Sequence, residues 1–225
     1  MPLDSLTAAI VAGDVAEVRS LLAQHAPLAR GADARGVPVL LVACYHRQEE
    51  ILGLLLEARR MLDDPLDVHE AAAVGEAHEL LIALRIVQGG PDHWSADGFT
   101  PLHLAAFFGR IDNARLLIER GADANAVARN PSQVQPLHSA AAARQLEIAG
   151  MLVRAGADVN AVQQSGWRPL HAAAAHGDEA LVRLLLAAGA EAELGNDQGL
   201  TPGELARQNG HEAVACLLEA PLPLR

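Results

Sequence analysis

The feature that most constrains this chain is that it repeats itself. FTPLHLAAFFG (99–109), VQPLHSAAAAR (134–144) and WRPLHAAAAHG (167–177) are copies of one phrase, and LTPGELARQNG (200–210) is an eroded fourth. Their prolines stand at Pro101, Pro136, Pro169 and Pro202, at intervals of 35, 33 and 33 residues. A second phrase follows each: NARLLIERGADANA (113–126), EIAGMLVRAGADVNA (147–161) and ALVRLLLAAGAEAEL (180–194). Two elements held at a common spacing mark an array, in which each unit hides its apolar side against its neighbours.

Weaker copies extend toward the N-terminus. VPVLLVACYH (37–46) places Pro38 in register, and LDVHEAAAVG (66–75) puts Asp67 in the proline's place. The first copy is SLTAAIVAGD with VAEVRSLLAQ, over 5–24. The expectation is a single domain over 1–225 with units at approximately 2–34, 35–63, 64–95, 96–130, 131–163, 164–196 and 197–225. Only 29 residues separate Pro38 from Asp67, so the joint between the second and third units is shortened or irregular.

Each unit reads physically as two short helices. Pro101 suits a first helical turn, where its missing N–H costs nothing, and Thr100 is placed to cap the free donors. Leu102, Ala105 and Ala106 lie on one side of the first helix, and Gly109 ends it. Ala114, Leu117 and Ile118 have helical spacing in the second, with Gly121 as its stop. The Gly/Asn/Asp-rich stretch beyond predicts a projecting hairpin loop. Neither helix is long enough to stand alone in water, so stacking must stabilise both. The predicted fold class is all-α, a solenoid of about seven helix-turn-helix units.

Composition agrees and narrows the function. Hydrophobic residues make up 51% of the chain but aromatics only 3%, so the core is built of small aliphatic side chains suited to close helix contact. The net charge of −11 repels phosphate backbones, and Arg59–Arg60 is the nearest approach to a basic cluster, so no nucleic-acid partner is expected. No leader and no apolar run long enough to span a bilayer is evident, which predicts a cytoplasmic protein without a membrane partner. Cys44 and Cys216 are read as unbridged, buried thiols in reducing surroundings.

The T-P-L-H-x-A-A phrase, the G-A-D-x-N-A tail and the period of 33 resemble the ankyrin repeat, strongly from Asp97 to Ala161 and well enough through Ala220. The Ala-rich wording resembles ankyrin proteins of bacterial type. The resemblance implies L-shaped units stacked into a curved solenoid, whose concave face of loop tips and first helices usually binds another protein. It also implies that His103, His138 and His171 tie adjacent loops together. Departures are visible: Arg144 stands in the glycine position, Gln133 stands where Gly98 and Gly166 do, and Gly203 replaces the leucine of the phrase.

Candidate chemistry is sparse. The three histidines recur once per unit, roughly 10 Å apart along the stack, too far to share a metal ion. His69-Glu70, His78-Glu79 and His211-Glu212 each lack a second histidine four residues on, so the metalloprotease helix motif is absent. No nucleophile elbow, paired-cysteine motif or phosphate loop is present, and neither catalysis nor a cofactor is expected. By family register, Phe99, Phe107, Phe108, Trp167, His176 and Tyr45 fall on the binding face, and all three phenylalanines belong to one unit. Exposed rings are candidate anchors for a protein partner; packing around the irregular joint is the competing explanation. His103, His138 and His171, with Pro101, Pro136 and Pro169, are assigned structural roles. The leading expectation is a monomeric, non-catalytic protein-binding module, with a structural or regulatory self-association protein as the alternative.

Overall fold

The computed structural model describes residues 2–87 and 90–219. Among the described residues seven helix pairs follow one another: α1 (Pro2–Ala12) and α2 (Val15–Gln24), α3 (Val39–Tyr45) and α4 (Glu49–Met61), α5 (Val68–Val74) and α6 (Ala77–Ile86), α7 (Pro101–Phe107) and α8 (Ile111–Glu119), α9 (Pro136–Ala142) and α10 (Leu146–Arg154), α11 (Pro169–Ala175) and α12 (Glu179–Ala187), and α13 (Pro202–Gln208) and α14 (Glu212–Glu219). Among the described residues there is no β-strand, only an isolated bridge between Ala32 and Pro38. First helices pack on first helices in series, and second helices form a parallel row. Position 89 of the irregular joint, and residues 220–225 of the last unit, lie outside the described residues.

The apolar spacing becomes the core. Leu102, Ala105, Ala106, Leu137, Ala140, Ala141, Leu170, Ala173 and Ala174 are all sealed from water, as are Leu117, Ile148, Leu152 and Leu185 of the second helices. Each buried leucine contributes roughly 2 kcal/mol, and the paired alanines let neighbouring first helices approach closely. Prolines 101, 136, 169 and 202 occupy the first turn of their helices. Between the two helices of a unit, the third excepted, one residue is left-handed, among them Gly109 (φ 70°), Gly177 (φ 65°) and, without a glycine's freedom, Arg144 (φ 60°) and Arg47 (φ 55°); the third unit turns at Gly75 with φ −74°. Gln133 in the hairpin before α9 takes the same conformation at φ 52°.

The structure corrects the register of two units by one residue. Pro38 is the N-cap of α3, in the place of Thr100 rather than Pro101, so Arg47 and not His46 holds the glycine position. Asp67 likewise caps α5 and accepts from the backbone N–H groups of His69 and Glu70, which puts Glu70 where His103 stands in the fourth unit. Cys216 is exposed rather than buried; Cys44 is buried, and burial pushes its thiol up to about 12.

The short joint has a specific cause. Between α4 and α5 the chain runs through residues 62–67 only, whereas between α6 and α7 it runs through 87–100. α4 is longer, 13 residues against nine in α8, and a hairpin like those that follow α2, α6, α8, α10 and α12 is missing. The core divides at the same place. One apolar cluster holds α1–α4 with Ala73 and Leu104; the other runs from Val68 to Leu218. α4 and α6 scarcely touch. A cleft of about 500 Å³ opens there, lined among others by Arg30, Arg59, Leu66, Glu70, Ile86 and His93.

Candidate functional site

The hairpin row is held by a histidine ladder. In each of three units the Nδ1 atom accepts the backbone N–H at the start of its own helix, from Thr100 to His103 (3.2 Å), Gln135 to His138 (3.1 Å) and Arg168 to His171 (3.1 Å). The Nε2 atom faces a carbonyl of the following hairpin segment: Val134 (3.0 Å), Ala161 (3.0 Å) and Leu200 (3.2 Å). An N–H can only donate and a carbonyl only accept, so each ring is the neutral tautomer with its proton on Nε2. Burial holds His103 and His138 down to about 4 and lowers His171 as well. His69 makes the corresponding contact to the His93 carbonyl at 2.9 Å.

A second ladder was not legible beforehand. Asn125 reaches the next unit twice, donating to the Gly156 carbonyl (2.9 Å) and accepting from Asp158 N–H (2.8 Å); Asn160 repeats this with Gly189 (3.1 Å) and Glu191 (2.9 Å). Asp123 and Asp158 close local turns onto Asn125 and Asn160. The asparagine of the G-A-D-x-N-A tail thus acts as a bracket between units, and only its recurrence at the repeat period could have signalled that.

The aromatic residues separate into two places. Phe107 stands at the end of α7 with 40% of its surface exposed, its ring edge-on to Phe108 at 5.2 Å. Phe108 turns toward the second unit and meets Tyr45 at 5.7 Å, across the short Val74 side chain of the unit between. Phe99 and Phe108 are half-buried against the N-terminal cluster. The Tyr45 hydroxyl donates to Asp97 at 2.7 Å, and burial together with that carboxylate pushes its phenol up. Trp167, two units away, lies half-buried beside His171 at 5.9 Å, as Phe99 lies beside His103 at 5.8 Å. His176 caps the end of α11 and is exposed. Among the described residues no ring contact joins Trp167 to the phenylalanines. Trp94 is covered by the Arg129 guanidinium, 3.6 Å above its ring.

Charge on this face is thin. The two residues ending each first helix are Phe107 and Phe108, Ala142 and Ala143, Ala175 and His176, and Gln208 and Asn209 in the last four units. Arg59, half of the one basic pair in the sequence, is buried instead and paired with Glu70 and Asp64. Among the described residues no group of three or more His, Cys, Asp or Glu side chains could hold a metal ion, and no helix is long and apolar enough to cross a membrane.

These features define a class: helix pairs stacked at a period near 33, with hairpins tied together by histidine. The family model for ankyrin repeats (3 copies) matches residues 68–163 and 137–222, and the chain belongs to that family. Among curated proteins, the human DNA-binding protein RFXANK is 39% identical over 66 residues, 29% of this chain and 25% of that protein. The match thus spans about a quarter of that relative's length. The relative is human, and the comparison lends no support to a bacterial type. Ankyrin repeats generally mediate protein–protein contacts, and the fold is a known non-catalytic scaffold.

Proposed function

We propose that this protein is a non-catalytic binding module that recognises another protein through the face formed by its first-helix ends and hairpins. The observation that carries this reading is Phe107, a large ring 40% exposed and in edge contact with Phe108, with Ala142 and Ala143 at the matching positions of the next unit. Trp167 and His176 extend the same face two units on, and Tyr45 closes its N-terminal end. The ladders supply rigidity, so the surface is already ordered when a partner arrives and little entropy is lost on binding. No bond is made or broken. The protein acts as a monomer in the cytoplasm, as one continuous stack.

The relative's name speaks of DNA, but the present chain carries a net charge of −11 and its buried Arg59 is unavailable to a phosphate. The shared repeats are therefore read as a common scaffold. The test is the double variant Phe107→Ala/Trp167→Ala, compared with wild type by circular dichroism and by capture of a partner from the native host. Unchanged helicity with loss of the partner supports the reading. Retained capture, or collapse of the helical signal, refutes it, and a sedimentation coefficient that rises with concentration would favour self-association through the same face.

A further inference from the structure

The missing hairpin leaves the first two units attached to the rest in an unusual way. Residues 62–67 are their only covalent link to α5, α4 scarcely meets α6, and the apolar core is divided at this joint. What crosses the joint is one apolar seam, where Ala73 of α5 and Leu104 of α7 are buried in the N-terminal cluster, and a short set of polar and ring contacts. At the pivot, Arg59 of α4 grips Glu70 of α5 through two hydrogen bonds of 3.0 and 3.1 Å and donates to the Pro65 carbonyl at 2.8 Å. Close by, Arg30 pairs with Asp64 at 3.2 Å. Away from the pivot, Tyr45 reaches Asp97 at 2.7 Å, Phe108 packs on Tyr45, and the hairpin at Gly36 comes against Ala96. The cleft of about 500 Å³ lies beside the pivot, so matter is already absent on the side toward which the pair could turn.

We propose that α1–α4 form a lid, hinged at residues 62–67 and latched by the Tyr45–Asp97 hydrogen bond, whose opening as one body uncovers Phe99 and Phe108 together with Ala73 and Leu104. The Arg59–Glu70 pair lies within a few residues of the hinge and can persist through the movement, whereas the latch and the ring contacts must break. A stack with uniform joints frays unit by unit from its end. A stack with one thin joint opens there as a block. The exposed aromatic surface around Phe107 would then have two sizes, and the position of the lid would set which one a partner meets. The opening stands as a property of the chain whether or not that face binds a protein.

Hydrogen exchange followed by mass spectrometry on the full chain at neutral pH tests this. In the wild type, α1 through α4 are expected to share one level of protection, about tenfold below that of α7 through α12, with the step falling at residues 62–67. Tyr45→Phe removes the latch and keeps the ring; it should speed exchange throughout α1–α4 by roughly fivefold and leave α9–α12 unchanged. A smooth gradient of protection from the N-terminus, equal protection on both sides of 62–67, or an acceleration by Tyr45→Phe that spreads equally over all units would overturn the proposal.

Discussion

Arg59 and Glu70 face each other in a bidentate pair, with Nη1 and Nη2 at 3.0 and 3.1 Å from the two carboxylate oxygens and both side chains sealed from water. Burial raises the pKa of Glu70, with the Asp67 charge acting in the same direction and Arg59 against both. The pair replaces, in chemical terms, the hairpin and histidine rung that this joint lacks. Glu70 also accepts the Asp67 backbone N–H at 3.0 Å, the task His103 performs for Thr100.

Arg59→Met should therefore be costly, because it strands a buried carboxylate. A loss of about 3–5 kcal/mol is expected in urea unfolding. Adding Glu70→Gln, which removes the charge and keeps an acceptor for Asp67, should recover roughly half of it. Equal stability of the single and double variants would show that the charge is not what makes the loss.

The histidine ladder makes stability depend on pH. The folded-state values of His103 and His138, about 4, lie below the ordinary 6.5, so the unfolded chain binds more protons in that interval. Their contribution is complete above about pH 6.5 and is lost progressively as pH falls toward 4. Each ring should account for about 2 kcal/mol between pH 7 and pH 5. Urea melts at those two pH values measure the slope, and His138→Gln should remove its own share of it.

Arg144 is held at φ 60° and its guanidinium, itself exposed, stands 3.6 Å from the largely covered carboxylate of Asp178, which caps α12. A left-handed residue with a Cβ costs about 1 kcal/mol, while a pair at this length with an exposed guanidinium gives back less. Arg144→Gly is expected to gain about 0.5 kcal/mol net of the glycine's larger unfolded-state entropy, read as a higher urea midpoint with an unchanged slope. A lower midpoint would mean that the ion pair outweighs the strain.

The repeat period and the helix pairs were legible because each rests on residues that recur, whereas the loop-tying role of His103, His138 and His171 came only as what the family resemblance implies. The register of the second and third units was not. Proline looked like the fixed point of the phrase, yet what recurs is backbone hydrogen bonding: Gln48 N–H to Ala43 mirrors Arg110 N–H to Ala105, and that match puts Pro38 on Thr100. The 29-residue interval announced an irregular joint, but sequence could not say that the hairpin was the part removed. Nor could it separate Phe107 from Phe108. Neighbouring positions on a helix point about 100° apart, and which one turns inward depends on the small Val74 of the preceding unit and on Tyr45 beyond it.

The measurement that bears most directly on the binding surface is the hydrogen-exchange footprint of a captured partner on the full chain. The account predicts added protection at the C-terminal ends of α7, α9 and α11 and in the hairpins that precede them. Protection confined to α8, α10 and α12 would contradict it, because the partner would then sit on the opposite row of helices.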